Sequence, residues 1–258
     1  MGDVAAAAKV IAMARFFVPK NKLRDNRGVI EGQELAHLRK VLRLLPGDHI
    51  TVFDDSGWEH EAIIRRLSAN QSEIEIIKSG EAGRESPLQM TLGIGLTKGE
   101  KMDFVVEKAT ELGVQTIAPF TSAFSVPKFD ARKITARTAR WEKIALSATK
   151  QCGRTRVPEI LPLCEFEPWV KRDWGETLKL LFWENEQRQS LREAHEKYAQ
   201  KKSVLLAIGP EGGFAAQEAD LAQSNGFEPI QIGRRILRAE TAAVAALSLV
   251  QFLWGDLR

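Results

Sequence analysis

Three loops of the sequence carry the residue types best suited to bind a ligand. The stretch IGPEGGF, residues 208–214, follows the apolar run Val204–Ile208 and holds three glycines, a proline and one carboxylate. FWENE, residues 182–186, and IGRRILRAETA, residues 232–242, each follow a further strand-like run. Because the carboxyl ends of parallel strands meet at one edge of a sheet, the pattern predicts a ligand site there. Backbone N–H and C=O groups exposed in such loops suit a ligand with many hydrogen-bonding edges, such as an adenosine.

Two other interpretations of the glycines fit less well. A phosphate-binding loop ends in Gly-Lys-Ser/Thr, whereas GPEGGF has neither a lysine nor a hydroxyl group and its Glu211 would repel a phosphate. GIGLTKG approaches a dinucleotide fingerprint through Gly93, Gly95 and Gly99, but the last glycine comes one residue late. No acidic residue follows at the end of a second strand, so a strand and a turn explain this stretch better.

The first third of the sequence has the pattern of a small β-barrel. From Arg15 to about Lys78, period-two stretches such as HITVFD and SEIEIIK are separated by the turns PGD and DDSG. One helix is predicted within it, in GQELAHLRKVLRL, where apolar residues recur at helical spacing. These apolar residues are Leu35, Leu38, Val41 and Leu42.

The rest of the sequence alternates strands with helices, which predicts an α/β layer with a mainly parallel sheet. The predicted strands are QMTLGIGL, QTIAPF, LKLLFW, SVLLAIG and EPIQIG. The predicted helices are EKMDFVVEKATELG, ITARTARWEKIALSATKQ and the Ala-rich ETAAVAALSLVQFLWG. The small residues Ala242, Ala243, Ala245 and Ala246 of the last helix permit close approach of another backbone.

Positive charge is concentrated in one segment. Residues 128–156 hold nine Lys and Arg against Asp130 and Glu142, a net charge of +7 in a chain whose total is +3. A charge run is commonly a solvated helix face, but the lack of compensating acids favours a surface that contacts the phosphates of a nucleic acid. A second basic run lies on the predicted barrel and comprises Arg15, Lys20, Lys22, Arg24 and Arg27.

The sequence disfavours a metal site, a membrane-spanning helix and an export signal. Cys152 and Cys164 lack CxxC spacing and the four histidines form no HExxH pair, so we predict no metal. No run of eighteen apolar residues could cross a membrane. Residues 1–12 carry Asp3 where an export signal needs positive charge, and we interpret them as a disordered extension or as the product of an upstream start. A reducing cytoplasm suits both cysteines.

Four stretches together resemble a known family. GPEGGF, IGRRILRAETAA, LTKGEKMDFVVEKATELGV and SATKQCGR resemble the bacterial 16S ribosomal RNA (uracil-N3) methyltransferases of the SPOUT superfamily, from about Met13 to the C-terminus. The resemblance implies an N-terminal PUA-like RNA-binding barrel, a C-terminal domain with a trefoil knot, S-adenosyl-L-methionine as methyl donor and a homodimer. It also implies a partner that is either the 16S rRNA itself or the assembled 30S subunit. The boundaries predicted from the sequence pattern are 13–80 for the barrel, 81–88 for a linker, where Gly, Ser and Pro cluster, and 89–258 for the methyltransferase domain.

The expected site residues follow from the loops, the charge pattern and the resemblance. For the cofactor they are Phe182, Trp183, Glu184, Ile208, Gly209, Pro210, Glu211, Gly212, Gly213, Ile232, Gly233, Ile236, Leu237, Arg238, Thr241 and Ala242. For RNA they are Arg15, Lys20, Lys22, Arg24, Lys98, Lys101, Arg132, Arg137, Arg140, Lys150, Gln151 and Arg154. Side chains at Gly209, Gly212, Gly213 and Gly233 are expected to collide with the cofactor.

Catalytic roles are expected for two residues of the last loop. Arg238 would stabilise the negative charge that develops on uracil O2 and O4 as the N3 proton leaves. Glu240 is favoured as a brace at the start of the last helix, and Glu240 or Glu211 could instead accept the proton. Two alternatives stay open at this point. They are a 2′-O-methyltransferase of the same fold acting on tRNA or rRNA, and a non-catalytic RNA-binding assembly factor.

Overall fold

The computed structural model describes residues 14–125, 130–184 and 189–258, so the prediction for residues 1–12 lies outside the described residues. The chain divides into two compact units. The N-terminal unit comprises the chain up to Glu85 together with Thr149–Val157, and the C-terminal unit comprises Ser86–Ala148 and Pro158–Arg258. The predicted boundaries place 81–88 in a linker and all of 89–258 in the second domain. In the structure the first unit ends at Glu85 and also includes Thr149–Val157.

A six-stranded sheet forms the N-terminal unit. Its strands are β1 (Arg15–Phe17), β2 (Leu23–Arg24), β3 (Arg27–Glu31), β4 (His49–Phe53), β5 (Trp58–Leu67) and β6 (Gln71–Glu81). They are ordered β1-β4-β5-β6-β3-β2, with β1 parallel to β4 and the other pairs antiparallel. Alternate side chains point to one face, where Phe16, Ile30, Ile50 and Ile64 form the buried core.

The helix predicted in the N-terminal unit is shorter and less regular than its sequence pattern indicates. Helix α1 (Gly32–Ala36) passes into a π-helical turn over His37–Val41, and Arg43 has a left-handed φ of 53°. Leu35 and Leu38 are buried as expected, but Val41 is 65% exposed. The prediction that Val41 belongs to the apolar face was therefore wrong, because the wider π turn changes the direction of the side chains that follow it.

An all-parallel sheet forms the centre of the C-terminal unit. Its strands are β7 (Gln89–Gly95), β8 (Thr116–Thr121), β9 (Glu159–Ile160), β10 (Cys164–Glu165), β11 (Leu178–Phe182), β12 (Ser203–Ile208) and β13 (Phe227–Ile230). The order is β10-β8-β7-β12-β11-β13, with β9 also beside β8, and every pair is parallel. The strands read as near-continuous apolar runs because helices cover parallel sheets on both faces.

Six helices begin in this unit within the described residues. They are α2 (Lys101–Glu111), α3 (Ala131–Cys152), α4 (Phe166–Lys171), α5 (Leu191–Tyr198), α6 (Ala216–Ser224) and α7 (Ala239–Trp254). The sequence pattern missed α4 and α5 because each is short. For α5 a signal was present, since Ser190 and Glu193 form a capping box of the S-x-x-E type.

The glycines of β7 serve packing. A side chain at Gly93 would place its Cβ 2.0 Å from the Trp169 ring, and one at Gly95 would come within 2.4 Å of the backbone nitrogen of Pro210. Gly99 has a positive φ of 63° in the turn that follows. The resemblance of this stretch to a dinucleotide fingerprint therefore reflects close approach of an indole ring and a neighbouring loop, together with a turn.

Candidate functional site

One pocket lies at the carboxyl ends of β11, β12 and β13 in the C-terminal unit. The volume of its cavity is about 180 Å³, which is far more than one bound water requires. Its walls come from the three loops that the sequence singles out. The lining residues are Phe182, Trp183, Glu184, Ile208, Gly209, Pro210, Glu211, Gly212, Gly213, Ile230, Gln231, Ile232, Gly233, Arg235, Ile236, Leu237, Ala239 and Ala242.

The pocket brings together all the residues expected to bind a cofactor except Arg238 and Thr241. Four further lining residues were missed, namely Ile230, Gln231, Arg235 and Ala239. All four neighbour the residues that were named, and Ile230 ends β13 itself. The position of Ile230 and Gln231 at the end of a predicted strand could have identified them. Arg235 lines the pocket because of the conformation of the loop before α7, which the sequence pattern does not predict.

The glycines of the pocket differ in what their missing side chains would touch. A Cβ at Gly213, where φ is +70°, would lie 2.0 Å from Oε1 of Glu184, and one at Gly212 would lie 2.6 Å from Cβ of Phe124. A Cβ at Gly209 would lie 3.0 Å from the backbone of Gly213. Only at Gly233, among these four, is there nothing within 4 Å. At the other three positions a side chain would meet the protein itself.

The amino group of Lys101 lies between two carboxylates beside the pocket. Its Nζ is 3.0 Å from Oε1 of Glu211 and 3.7 Å from Oε2 of Glu240. The backbone N–H of Lys98 also donates to Oε1 of Glu211 at 3.0 Å. Burial alone would raise the pKa of Glu211, but the hydrogen bonds from Lys98 and Lys101 outweigh it and lower that pKa below its ordinary value. Lys101, expected to contact RNA, is thus held by carboxylates.

The two residues expected to be catalytic both lie at the start of α7. Arg238 is the N-cap residue and its side chain is exposed. The side chain forms no hydrogen bond or ion pair with another residue that the structure describes, whereas the backbone carbonyl accepts from the Ala242 N–H at 2.8 Å. Glu240 lies in the first turn, where a carboxylate is favoured by the positive end of the helix dipole. Its Oε2 is buried without a hydrogen-bond partner.

Three residues expected to contact RNA are instead bound to carboxylates inside the N-terminal unit. Arg154 has a side chain only 3% exposed and binds Glu85 through Nε and Nη2, at 3.0 and 2.9 Å. Arg15 pairs with Glu59, and Lys150 Nζ lies 2.7 Å from Oε1 of Glu34. The RNA-contact prediction was therefore wrong for Arg154. The reason is that the side chain of Arg154 is buried against Glu85, where it holds the segment 149–157 within the N-terminal unit.

Most of the other residues predicted to contact RNA are exposed to solvent. In the N-terminal unit Lys20, Arg24 and Gln151 are exposed, while Lys22 forms an exposed ion pair with Glu31. In the C-terminal unit Lys98 and Arg132 are exposed and Arg137 is half-buried. Arg140 is exposed but pairs with Asp103 at 2.7 Å.

The family is decided by comparison with known proteins. A family model described as an RNA methyltransferase domain matches residues 84–251, and one described as an RNA methyltransferase PUA domain matches residues 30–77. The chain belongs to this RNA methyltransferase family. It is 35% identical to the ribosomal RNA small subunit methyltransferase E of Buchnera aphidicola, over 91% of this chain and 94% of that protein. It is 29% identical to the Bacillus subtilis protein of the same name, over 93% and 96%.

Solved structures support the same assignment. The ribosomal RNA small subunit methyltransferase E of Neisseria gonorrhoeae, bound to S-adenosyl methionine, is 34% identical with a TM-score of 0.87, over 95% of this chain and 100% of that one. A methyltransferase of Legionella pneumophila with bound cofactor is 33% identical with a TM-score of 0.86, over 94% and 98%. The predicted fold class, a PUA-like unit followed by an α/β methyltransferase unit of the SPOUT type, is confirmed.

The described residues contain neither a metal-binding cluster nor a membrane-spanning helix. No group of three or more His, Cys, Asp and Glu side chains within residues 14–125, 130–184 and 189–258 is arranged to hold a metal ion. In the same ranges, no helix has both the length and the apolar character needed to cross a membrane.

Proposed function

We propose that this protein uses S-adenosyl-L-methionine to methylate N3 of a specific uridine in the 16S rRNA of the small ribosomal subunit. The observation that carries the proposal is the pocket, built from three loops at the carboxyl edge of a parallel sheet. Relatives named for methylation of small-subunit rRNA align over most of the chain, and two similar structures hold the methyl donor.

The residues of the pocket fit the proposed methyl donor. Apolar side chains such as Ile208, Ile232 and Leu237 suit an adenine ring. Glu184 and Glu211 disfavour a phosphorylated ligand but suit a cationic one, and Arg235 offers a partner for a carboxylate. When bound, the donor supplies a methyl group on a positively charged sulfur, and the chain must orient the base and accept its proton.

Arg238 is proposed to act on the uracil carbonyls. Loss of the N3 proton places negative charge on O2 and O4, and a cation near them lowers the barrier only as that charge develops. The exposed guanidinium of Arg238 stands next to pocket-lining Leu237 and Ala239, and no described carboxylate neutralises it. These features support a role toward the substrate more than one in holding the loop.

RNA binding is proposed to use exposed and half-buried cations of both units. Arg132 and Arg137 of α3 lie in the C-terminal unit with Lys98, and Lys20 and Arg24 lie in the N-terminal unit. Exposed cations that track phosphates give sequence-independent affinity, which falls as salt rises. Arg15, Lys150 and Arg154 are not part of this proposal, because carboxylates of their own unit bind them.

A homodimer in the cytoplasm is proposed as the working form. Leu249 and Phe252 of α7 are exposed apolar side chains three residues apart, which places them on one face of the helix. Ala245 is half-buried near the same face, whereas Ala243 and Ala246 are buried inside the chain. An exposed apolar stripe on a long helix favours contact with another protein surface.

Calorimetric titration with S-adenosyl-L-methionine tests whether the pocket is a donor site. We expect saturable binding, weakened at least about tenfold in Gly233→Val, because the new side chain enters open space at the pocket wall. Gly175→Val is the matched control, since Gly175 also has a positive φ and open space but does not line the pocket. No binding by the folded wild-type protein would favour a non-catalytic RNA-binding factor.

A further inference from the structure

Lys101 connects three segments around the pocket of the C-terminal unit. It stands in the first turn of α2, Glu211 belongs to the loop after β12, and Glu240 belongs to the first turn of α7. Its amino group is within ion-pair distance of both carboxylates, at 3.0 and 3.7 Å. Glu211 is itself a wall of the pocket, and Ala239, next to Glu240, is another.

The two oxygens of Glu240 have different surroundings. Oε2 is buried, accepts no hydrogen bond and faces Lys101 at 3.7 Å, which is an ion-pair distance but too long for a hydrogen bond. Oε1 is not among the buried unpaired atoms, and the side chain as a whole is 18% exposed. The ammonium of Lys101 therefore attracts Oε2 of Glu240, whereas Oε1 remains accessible from the surface.

Glu211 is poorly suited to accept a proton. Its Oε1 already receives hydrogen bonds from the Lys98 backbone and the Lys101 ammonium, and its pKa is lowered. A carboxylate stabilised in its charged form is a weaker base. The side chain of Glu240 accepts no hydrogen bond from any described residue. An approaching N–H group could therefore donate to it without displacing another donor.

On the basis of the proposed function, we infer that Glu240 is the proton acceptor and that Lys101 is the positioning residue that holds its carboxylate beside the pocket. The N3 proton passes to Oε1 of Glu240, which becomes a neutral carboxylic acid. The electron pair of N3 forms the bond to the methyl carbon, while the bond from that carbon to sulfur breaks with its pair remaining on sulfur.

Three variants are expected to differ in methylation rate and in donor affinity. Glu240→Gln keeps the size and polarity of the side chain but cannot accept the proton, so we expect the single-turnover rate of methylation to fall on the order of a hundredfold. Donor affinity, measured by calorimetry, should stay within about threefold. Lys101→Met should lower the rate about tenfold and also weaken donor affinity, because it releases Glu211 from the pocket wall. Lys101→Arg should restore most of both.

A double-mutant cycle tests whether Lys101 acts through Glu240. If it does, adding Lys101→Met to Glu240→Gln should cause little further loss of rate, because the carboxylate that Lys101 positions has already lost its function. Lys108→Met is the matched control, since Lys108 lies on the same helix and pairs with Glu107 and Glu111 away from the pocket. We expect its rate and donor affinity to match wild type.

The outcomes distinguish this inference from the proposed function. Wild-type protein that forms no 3-methyluridine would overturn the proposed function and this inference with it. An active wild type whose Glu240→Gln variant keeps its rate would overturn only the assignment of Glu240. Losses in the two single variants that multiply in the double variant would overturn the positioning role of Lys101. Glu240→Asp provides a second test if Glu240→Gln does not fold, and its shorter carboxylate should retain partial activity.

Discussion

Replacing Glu85 by Ala should strongly destabilise the N-terminal unit. The Glu85 carboxylate accepts four hydrogen bonds from the segment 149–157. Two come from the guanidinium of Arg154, at 3.0 and 2.9 Å, and two come from the backbone nitrogens of Thr155 and Arg156, at 2.9 and 3.1 Å. The substitution removes all four acceptor contacts at once and leaves the buried Arg154 without this counterion.

The expected size of the effect follows from burial. Because only 3% of the Arg154 side chain is exposed, water cannot replace the lost carboxylate, and breaking such a pair on one side costs about 3–5 kcal/mol. A loss of 1 kcal/mol lowers the melting temperature of a protein of this size by roughly 2–4 °C, so we expect a decrease of about 6–20 °C. Glu85→Gln keeps one acceptor oxygen and should lose less.

Thermal unfolding followed by calorimetry or circular dichroism measures this change. Glu75→Ala is the matched control, because Glu75 pairs with Arg65 on the exposed surface of the same unit, where an ion pair contributes about 1 kcal/mol or less. A Glu85→Ala protein that melts within about 2 °C of wild type would refute the structural role. An Arg154→Ala protein of unchanged stability but weaker RNA binding would restore the RNA-contact prediction.

Three further predictions concern the substrate and the assembly. Arg238→Ala should lower the single-turnover methylation rate about a hundredfold while calorimetry shows nearly unchanged donor affinity; a wild-type rate at saturation would remove Arg238 from catalysis. Arg132→Glu combined with Arg137→Glu should weaken rRNA binding. The slope of log affinity against log salt concentration should fall by about one unit per lost phosphate contact. A drop in melting temperature with unchanged RNA affinity would contradict this. Phe252→Glu should convert the dimer to a monomer by light scattering, because its ring is 63% exposed on α7; a wild-type protein that is already monomeric would refute the dimer.

The sequence was informative where local chemistry decides the structure. The glycine-rich loop before Phe214 and the loop that leads into α7 were predicted as parts of one site, because turns and strand ends have strong local signals. The parallel sheet was predicted from the alternation of strand and helix patterns along the chain. The short helix α5 was missed although Ser190 and Glu193 already showed its start.

The sequence was least informative about the partners of charged residues. Arg154 belongs to a strongly basic segment, and nothing near it in the sequence shows that Glu85, sixty-nine positions earlier, will bury and neutralise it. Lys101 likewise resembles an ordinary surface cation until the fold brings Glu211 and Glu240 to it. Such pairs depend on tertiary packing, which the spacing of residues along the chain does not encode locally.

The identity of the methylated nucleoside tests the central claim most directly. Small subunits from a strain that lacks this gene would be incubated with the purified protein and S-adenosyl-L-methionine, and the 16S rRNA would then be digested and its nucleosides identified by mass spectrometry. We expect one new 3-methyluridine per 16S rRNA molecule, absent when the donor is omitted. A 2′-O-methylated nucleoside, or no new methylated nucleoside, would contradict the account.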